Sequence, residues 1–213
     1  MALEQEVKLL VSSDNKIDLS LLPFLLAIAD GKLLSNHLVS TYFDTDSLTL
    51  SQQGLGLRMR QINEQFLQTV KTSGKVKDGF HQREEWEYEI EGPKWDLASL
   101  RLTPLKKIID ETECWSQLTP LFTTDFLRET LQLTLEDGSQ VELAYDRGEV
   151  RSGELKAAIH EIELELKTGD SDQLGLLANT LCQHLPLSPS DISKAQMGYE
   201  LVAKNRENET RDD

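Results

Sequence analysis

The chain has 213 residues, 38% hydrophobic and 28% charged, with a formal net charge of −15. That length supports one large domain or two small ones around a substantial core. The excess of acid argues against long nucleic acids, whose binding rests on neutralising phosphates with Lys and Arg, and no apolar run approaches the roughly 20 residues of a membrane span.

Near the N-terminus Glu4, Glu6 and Lys8 recur at a spacing of two, flanked by Leu3 and Leu9. This reads as a strand with its charges on one face; Glu4 and Lys8 are also an i, i+4 pair compatible with an exposed helix. Leu19, Leu22, Leu25, Leu26 and Ala29 form a helical stripe over 18–29, with Asp18 or Ser20 as N-cap and Asp30-Gly31 as terminator. A strand over 38–44 precedes one over 55–62, where Arg58 and Arg60 share one face and Leu57 and Met59 the other. Residues 65–72 supply its hairpin partner, with Thr69 and Lys71 together, and 73–79 form a loop. The run 81–91 sets Arg83, Glu85, Glu87 and Glu89 against Trp86, Tyr88 and Ile90.

From Pro93 to Trp115 the alternation stops, and short helices joined by turns are expected. Strands resume over 126–135 and 140–146 across Asp137-Gly138, a strong hairpin signal. They carry Arg128 and Asp146. The run 160–167 alternates Glu161, Glu163 and Glu165 with Ile162, Leu164 and Leu166, completing about eight strands. An amphipathic helix over 170–184 follows, then a last helix to Val202 with Ser193 and Gln196 in a capping box. Residues 1–204 read as one domain and 205–213 as a polar, frayed tail.

Carboxylates two apart in a strand lie roughly 6 to 7 Å from each other, and at an effective dielectric of about 20 they repel by ~2.5 kcal/mol. Glu4, Glu6, Glu161, Glu163 and Glu165 therefore need countercharge from water, bound divalent cations or basic side chains. Eight antiparallel strands can close into a barrel whose interior holds side chains or one small ligand. If they do, the class is α+β: a closed eight-stranded antiparallel barrel with a charged interior and helices packed outside. Leu57, Met59, Leu131, Leu133, Ile162 and Leu164 would face outward under the helices. Glu4, Glu6, Lys8, Arg58, Arg60, Lys71, Arg83, Glu85, Arg128, Asp146, Glu161, Glu163 and Glu165 would face inward. Such an interior suits a polyphosphate accompanied by divalent cations. An open sheet with a solvated charged face has the same periodicity.

Cys114 and Cys182 lie far apart and the four histidines fall in separate segments, so the chain shows no zinc spacing. A metal here would be a hard cation held by oxygens: magnesium, manganese or calcium. With no signal segment at the N-terminus, the expectation is a cytoplasmic protein, monomeric or homodimeric, with a small-molecule partner rather than nucleic acid or membrane.

An ordered set of motifs then resembles the CYTH domain of the triphosphate tunnel metalloenzymes, and most closely its bacterial inorganic triphosphatase branch. They are Glu4-x-Glu6-x-Lys8, Tyr42-Phe43-Asp44-Thr45, Leu57-Arg58-Met59-Arg60, Thr69-Val70-Lys71, His81-Gln82-Arg83-x-Glu85, Thr124-Asp125-Phe126-x-Arg128, Asp146-x-Gly148-Glu149-Val150, residues 161–165, and Ser193-Lys194-Ala195 with Gly198-Tyr199. The resemblance implies a barrel forming a tunnel and an enzyme acting on triphosphates with Mg2+ or Mn2+. By resemblance Lys8, Arg58, Arg60, Lys71, Arg83, Arg128 and Lys194 bind phosphates. Glu4, Glu6, Glu161, Glu163 and Glu165 hold metal, with Glu85 and Asp146 as lesser candidates. Glu4, Glu6 and Lys8 are the catalytic candidates, one of the two glutamates assisting as base. Lys194 also falls in the first turn of a helix, where a cation is unfavourable unless an anion lies nearby.

The implied reaction is hydrolysis of inorganic triphosphate to pyrophosphate and orthophosphate. Alternatives within the resemblance are a class IV type adenylate cyclase and a thiamine triphosphatase; outside it stands a non-catalytic polyphosphate-binding module. Longer members carry a second, helical domain after this one.

Overall fold

Strict alternation gives each strand one charged and one apolar face, and the chain resolves that asymmetry by closing on itself. The computed structural model describes residues 2–212. Among these the long strands are β1 (Ala2–Val11), β2 (Leu34–Asp44), β3 (Leu55–Ile62), β4 (Gln65–Thr72), β6 (Phe80–Ile90), β7 (Thr119–Thr134), β8 (Gln140–Ser152) and β9 (Leu155–Thr168), with three-residue strands β5 (Lys75–Lys77) and β10 (Leu187–Pro189). The eight long strands run in the order β1-β9-β8-β7-β2-β3-β4-β6, and β6 pairs back onto β1, so the barrel is closed and antiparallel throughout. The class is α+β.

Turn chemistry sets the register. Gly138 takes the φ of +86° that a side chain would resist, and Asp137 Oδ1 accepts from Ser139 N at 2.9 Å. Asn63 (φ +54°) and Gly153 (φ +55°) turn the β3–β4 and β8–β9 hairpins. Asn63 and Gly153 were not singled out from the sequence, and β7, β8 and β9 are all longer than expected.

The apolar faces point outward under two covers. On one side Leu131, Leu133, Val141, Leu143, Ile162 and Leu164 pack beneath α6 (Asp172–His184) and the 17–26 segment. On the other, Leu57, Val70 and Trp86 pack beneath α2 (Thr49–Gln52), α3 (Leu97–Leu100), α4 (Lys106–Asp110) and α5 (Thr112–Ser116). Met59 departs from expectation: it is half-buried and joins neither cluster, because its cross-strand neighbours are Thr41 and Gln68.

Three further expectations change. The helix over 18–29 is instead a 3-10 turn (Leu19–Leu21) and a one-turn α1 (Pro23–Leu26), because Pro23 donates no hydrogen bond and biases Leu22 out of the helical region. The 73–79 loop contains β5. The last helix, α7 (Lys194–Asp212), does not stop at Val202. Asn205 Nδ2 donates to Ser152 O at 3.1 Å and Arg206 Nη1 to Asp46 O at 2.8 Å, which fastens residues expected to fray; Asp213 lies outside the described residues. No described helix is long and apolar enough to cross a membrane.

The hairpin registers give the barrel two unlike ends. The Asn63 and Asp137-Gly138 turns form one. At the other, α7 lies against the inner faces of the strands, with Leu201 and Val202 in a cluster with Tyr42, Phe122, Phe126, Val150 and Ile159. A Cβ on Gly198 would stand 2.1 Å from the Phe122 ring, so this close seating requires glycine.

Candidate functional site: a charged tunnel

The inward faces enclose a cavity of about 800 Å3. Inward-facing Glu4, Glu6, Lys8, Arg58, Arg60, Lys71, Arg83, Glu85, Arg128, Glu163, Glu165 and Lys194 all line it. Asp146 and Glu161 lie in the wall behind them, buried.

On the β8–β9 side Asp146, Glu161 and Glu163 each bring a carboxylate oxygen within 4.8 Å of the others. Three adjacent buried carboxylates cannot all ionise without cations, and the chain supplies three. Lys8 Nζ donates to Glu161 Oε1 at 2.7 Å and also reaches Glu163. Lys194 Nζ sits 2.6 Å from Asp146 Oδ2 and 3.0 Å from Glu163 Oε1, and contacts Glu161. Arg128 grips Asp146 through two parallel bonds of 2.7 and 2.6 Å and donates to Glu163 Oε2 at 2.5 Å. Burial opposes ionisation of Glu163, but Lys194, Lys8 and Arg128 outweigh it and hold this carboxyl well below its usual range. Asp146 is lowered the same way, against its burial, by Arg128 and Lys194.

On the adjoining side of the wall β1 and β6 interlock. Glu4 takes Arg83 Nε at 2.5 Å and Lys71 Nζ at 2.7 Å. Burial resists its ionisation, yet those two cations keep Glu4 far below the normal carboxylate value. Glu6 differs: Arg83 Nη2 approaches at 3.2 Å, but burial and the neighbouring Glu163 push its pKa up. Glu85 lies 3.2 Å from Lys71 and 3.6 Å from Arg58. Glu165 sits toward the turn end, paired with Lys167 at 2.8 Å.

The β3 arginines are less well matched. Arg58 Nη2 donates to Glu87 at 3.2 Å, while its Nε is buried with no partner. Arg60 is 8% exposed, and its Nε donates to the neutral Ser40 hydroxyl at 2.9 Å. No carboxylate pairs with it among the described residues. Burial, with Arg58 and Arg128 alongside, draws its pKa down to about 10. Arg60, Arg128 and Lys194 also crowd the face of Phe126, at 6.0, 5.6 and 5.0 Å from the ring centroid.

Lys194 enters this space because α7 is anchored by Tyr199. Tyr199 OH donates to Asp44 Oδ2 at 3.2 Å, and its ring stands edge-on to Phe122 at 5.2 Å. Asp44 is fixed in turn by the backbone N–H groups of Thr45, Leu50 and Ser51. Ser193 Oγ caps Gln196 N at 3.1 Å, whereas the Gln196 side chain turns to Glu200, so only half of the expected capping box forms.

The CYTH family model matches residues 2–199 of this barrel. The chain belongs to the CYTH family. It is 35% identical over 202 residues to an inorganic triphosphatase of Haemophilus influenzae, covering 94% of this chain and 56% of that protein, so it spans little more than half its relative's length. Two solved structures share the fold. One is a Hippeastrum protein, a putative adenylyl cyclase with a dominant triphosphatase activity (21% identity, TM-score 0.64, 92% of this chain and 95% of that one). The other is a putative adenylate cyclase of Bacillus halodurans (20% identity, TM-score 0.55, 90% and 95%).

In this CYTH barrel the metal candidates fall into separate groups. Asp146, Glu161 and Glu163 converge; Glu4 and Glu6 share Arg83; Glu85 and Glu165 are each tied to other cations. The convergent group offers three hard oxygen donors, which fits a divalent cation of the magnesium or manganese kind. Residues given no site role from the sequence also face the lumen: Ser40 and Glu142, Tyr42 and Thr69 of the motifs, and Glu87 of the charged face of β6. Glu87 alternates with Arg83 and Glu85, so its position was readable; its hydrogen bond to Thr69 was not.

Proposed function

We propose that this CYTH protein hydrolyses inorganic triphosphate to pyrophosphate and orthophosphate with Mg2+ or Mn2+. The observation that carries this reading is Arg60: a buried guanidinium without a carboxylate, beside an unpartnered Arg58 Nε, faces a lumen whose opposite wall holds three convergent carboxylates. A buried cation of that kind calls for an anion, and the carboxylates, matched within the chain by Lys8, Lys194 and Arg128, offer hard oxygens that a divalent cation can take over. A metal-bound polyphosphate satisfies both. The 35% identity to an inorganic triphosphatase supports the choice of substrate.

Phosphoryl transfer asks chiefly for positioning and neutralisation of charge. Arg58 and Arg60 present planar donors to non-bridging oxygens, and Lys71, Arg83 and Arg128 stand close enough to exchange a carboxylate for a phosphate oxygen. Asp146, Glu161 and Glu163 would hold a divalent cation, which would supply further neutralisation of charge and activate water. The environments of Glu4 and Glu6 push their pKa values apart, which favours Glu6 as the proton acceptor and Glu4 as the anchor. Water attacks the terminal phosphorus, its proton passes to Glu6, and the bridging P–O bond breaks to release pyrophosphate.

The test is a substrate panel of inorganic triphosphate, ATP and thiamine triphosphate with Mg2+, Mn2+ or EDTA. Metal-dependent orthophosphate release selective for inorganic triphosphate is expected, and Glu6→Gln and Arg58→Ala should each suppress it. Cyclic AMP formed from ATP, or full turnover in both variants, would overturn the reading.

A further inference from the structure

Asp146, Glu161 and Glu163 already hold cations belonging to the chain. Glu161 Oε1 accepts from both Lys8 and Lys194, and Glu163 Oε1 meets the same two ammonium groups. A divalent cation among these oxygens would compete with them directly, since each oxygen offers few lone pairs and like charges at contact distance repel.

The two lysines are not equally able to leave. Lys8 lies mid-strand, 1% exposed, with its backbone held on both sides: Lys8 N donates to Gly79 O at 2.8 Å and Lys8 O accepts from Ser190 N at 3.0 Å. Lys194 is the first residue of α7; it lines the cavity as Lys8 does, but its ammonium already lies over Phe126 beside Arg60 and Arg128. A rotation of its four-carbon stem suffices to move the charge from the carboxylates into the lumen. Its ammonium lies 2.6 Å from Asp146 Oδ2 and 3.0 Å from Glu163 Oε1 and contacts Glu161, so it is well seated until something replaces it.

We infer that Lys194 is a resident counter-cation of the Asp146, Glu161 and Glu163 cluster that a divalent cation must displace, and that a triphosphate eases the exchange by accepting the displaced ammonium. Metal and anion are then coupled through a side chain as well as through their contact with each other. This deepens the metal-dependent reading above and rests on it.

The test titrates Mn2+ alone into the full chain and its Lys194→Met and Lys194→Arg variants by calorimetry. Lys194→Met should bind Mn2+ roughly tenfold more tightly than the wild type, while Lys194→Arg, which keeps the charge, should not gain. A methylene-bridged triphosphate, which cannot be cleaved, should tighten Mn2+ by a smaller factor in Lys194→Met than in the wild type. If Lys194→Met is unfolded without metal, Mn2+ should restore its thermal transition; no folding at any Mn2+ concentration overturns the inference. So does a folded Lys194→Met that binds Mn2+ no better than the wild type, or an undiminished coupling factor. If the wild type still binds Mn2+ and hydrolyses triphosphate in that case, the inference alone fails; if it binds no Mn2+, both readings fall.

Discussion

Arg58 and Arg60 leave the same face of β3 two residues apart, yet Arg58 Nη2 meets the Glu87 carboxylate at 3.2 Å while Arg60 Nε rests on the Ser40 hydroxyl at 2.9 Å. One arginine is partly matched within the protein; the other has no carboxylate partner among the described residues.

An uncompensated buried cation opposes folding. Arg60→Met should therefore melt at the same temperature as the wild type or higher, while kcat/KM for triphosphate falls by about a hundredfold, the scale expected for a lost charge-stabilising donor. Thermal unfolding and phosphate release on one preparation check both halves.

Arg128 should behave in the opposite way. It is bonded to Asp146 and Glu163, so Arg128→Met leaves two buried carboxylates short of a partner. A loss of about 3–5 kcal/mol is expected, measurable by urea unfolding, and divalent metal should recover part of it.

Gly198 tests how α7 is seated. Gly198→Ala drives a methyl into the Phe122 ring; relief costs roughly 1–3 kcal/mol of overpacking and lifts the helix that carries Lys194. A lower melting temperature together with a higher KM for triphosphate is the expected pair of results.

Stability should also respond to His160, outside the tunnel. Tyr145 OH accepts from Ile17 N at 3.0 Å and stands 2.8 Å from His160 Nε2, so the phenol donates to the neutral ring. Burial, with Arg147 nearby, lowers the His160 pKa below its usual 6.5. In that window the unfolded chain binds the proton and the folded one does not, so stability falls as pH drops through about 6.5 toward the folded value. Between pH 7.5 and 5.5 the wild type should lose more melting temperature than His160→Gln.

The barrel was legible because alternation is unusually regular in β1, β3, β6 and β9, and the inward set of thirteen expected side chains follows from strand parity alone. Parity says nothing of reach across a lumen. Glu165 and Lys167 share a face by parity, but it could not tell that Glu161 and Glu163 meet Asp146, because that depends on the β8–β9 register, set at a Gly153 turn not singled out from the sequence. Nor could it show that the charge near the N-terminus of α7 is balanced by carboxylates of the barrel wall. The broken 18–29 helix was readable from Pro23, and the apolar stripe concealed it.

The central claim is that the partly matched Arg58, the unmatched Arg60 and the convergent carboxylates receive one metal-bound triphosphate. Orthophosphate release from inorganic triphosphate, followed with Mg2+ or Mn2+ and again after EDTA, tests it most directly. One orthophosphate and one pyrophosphate per substrate, abolished by the chelator, is the predicted result; no release with either metal, or equal release in EDTA, would contradict it.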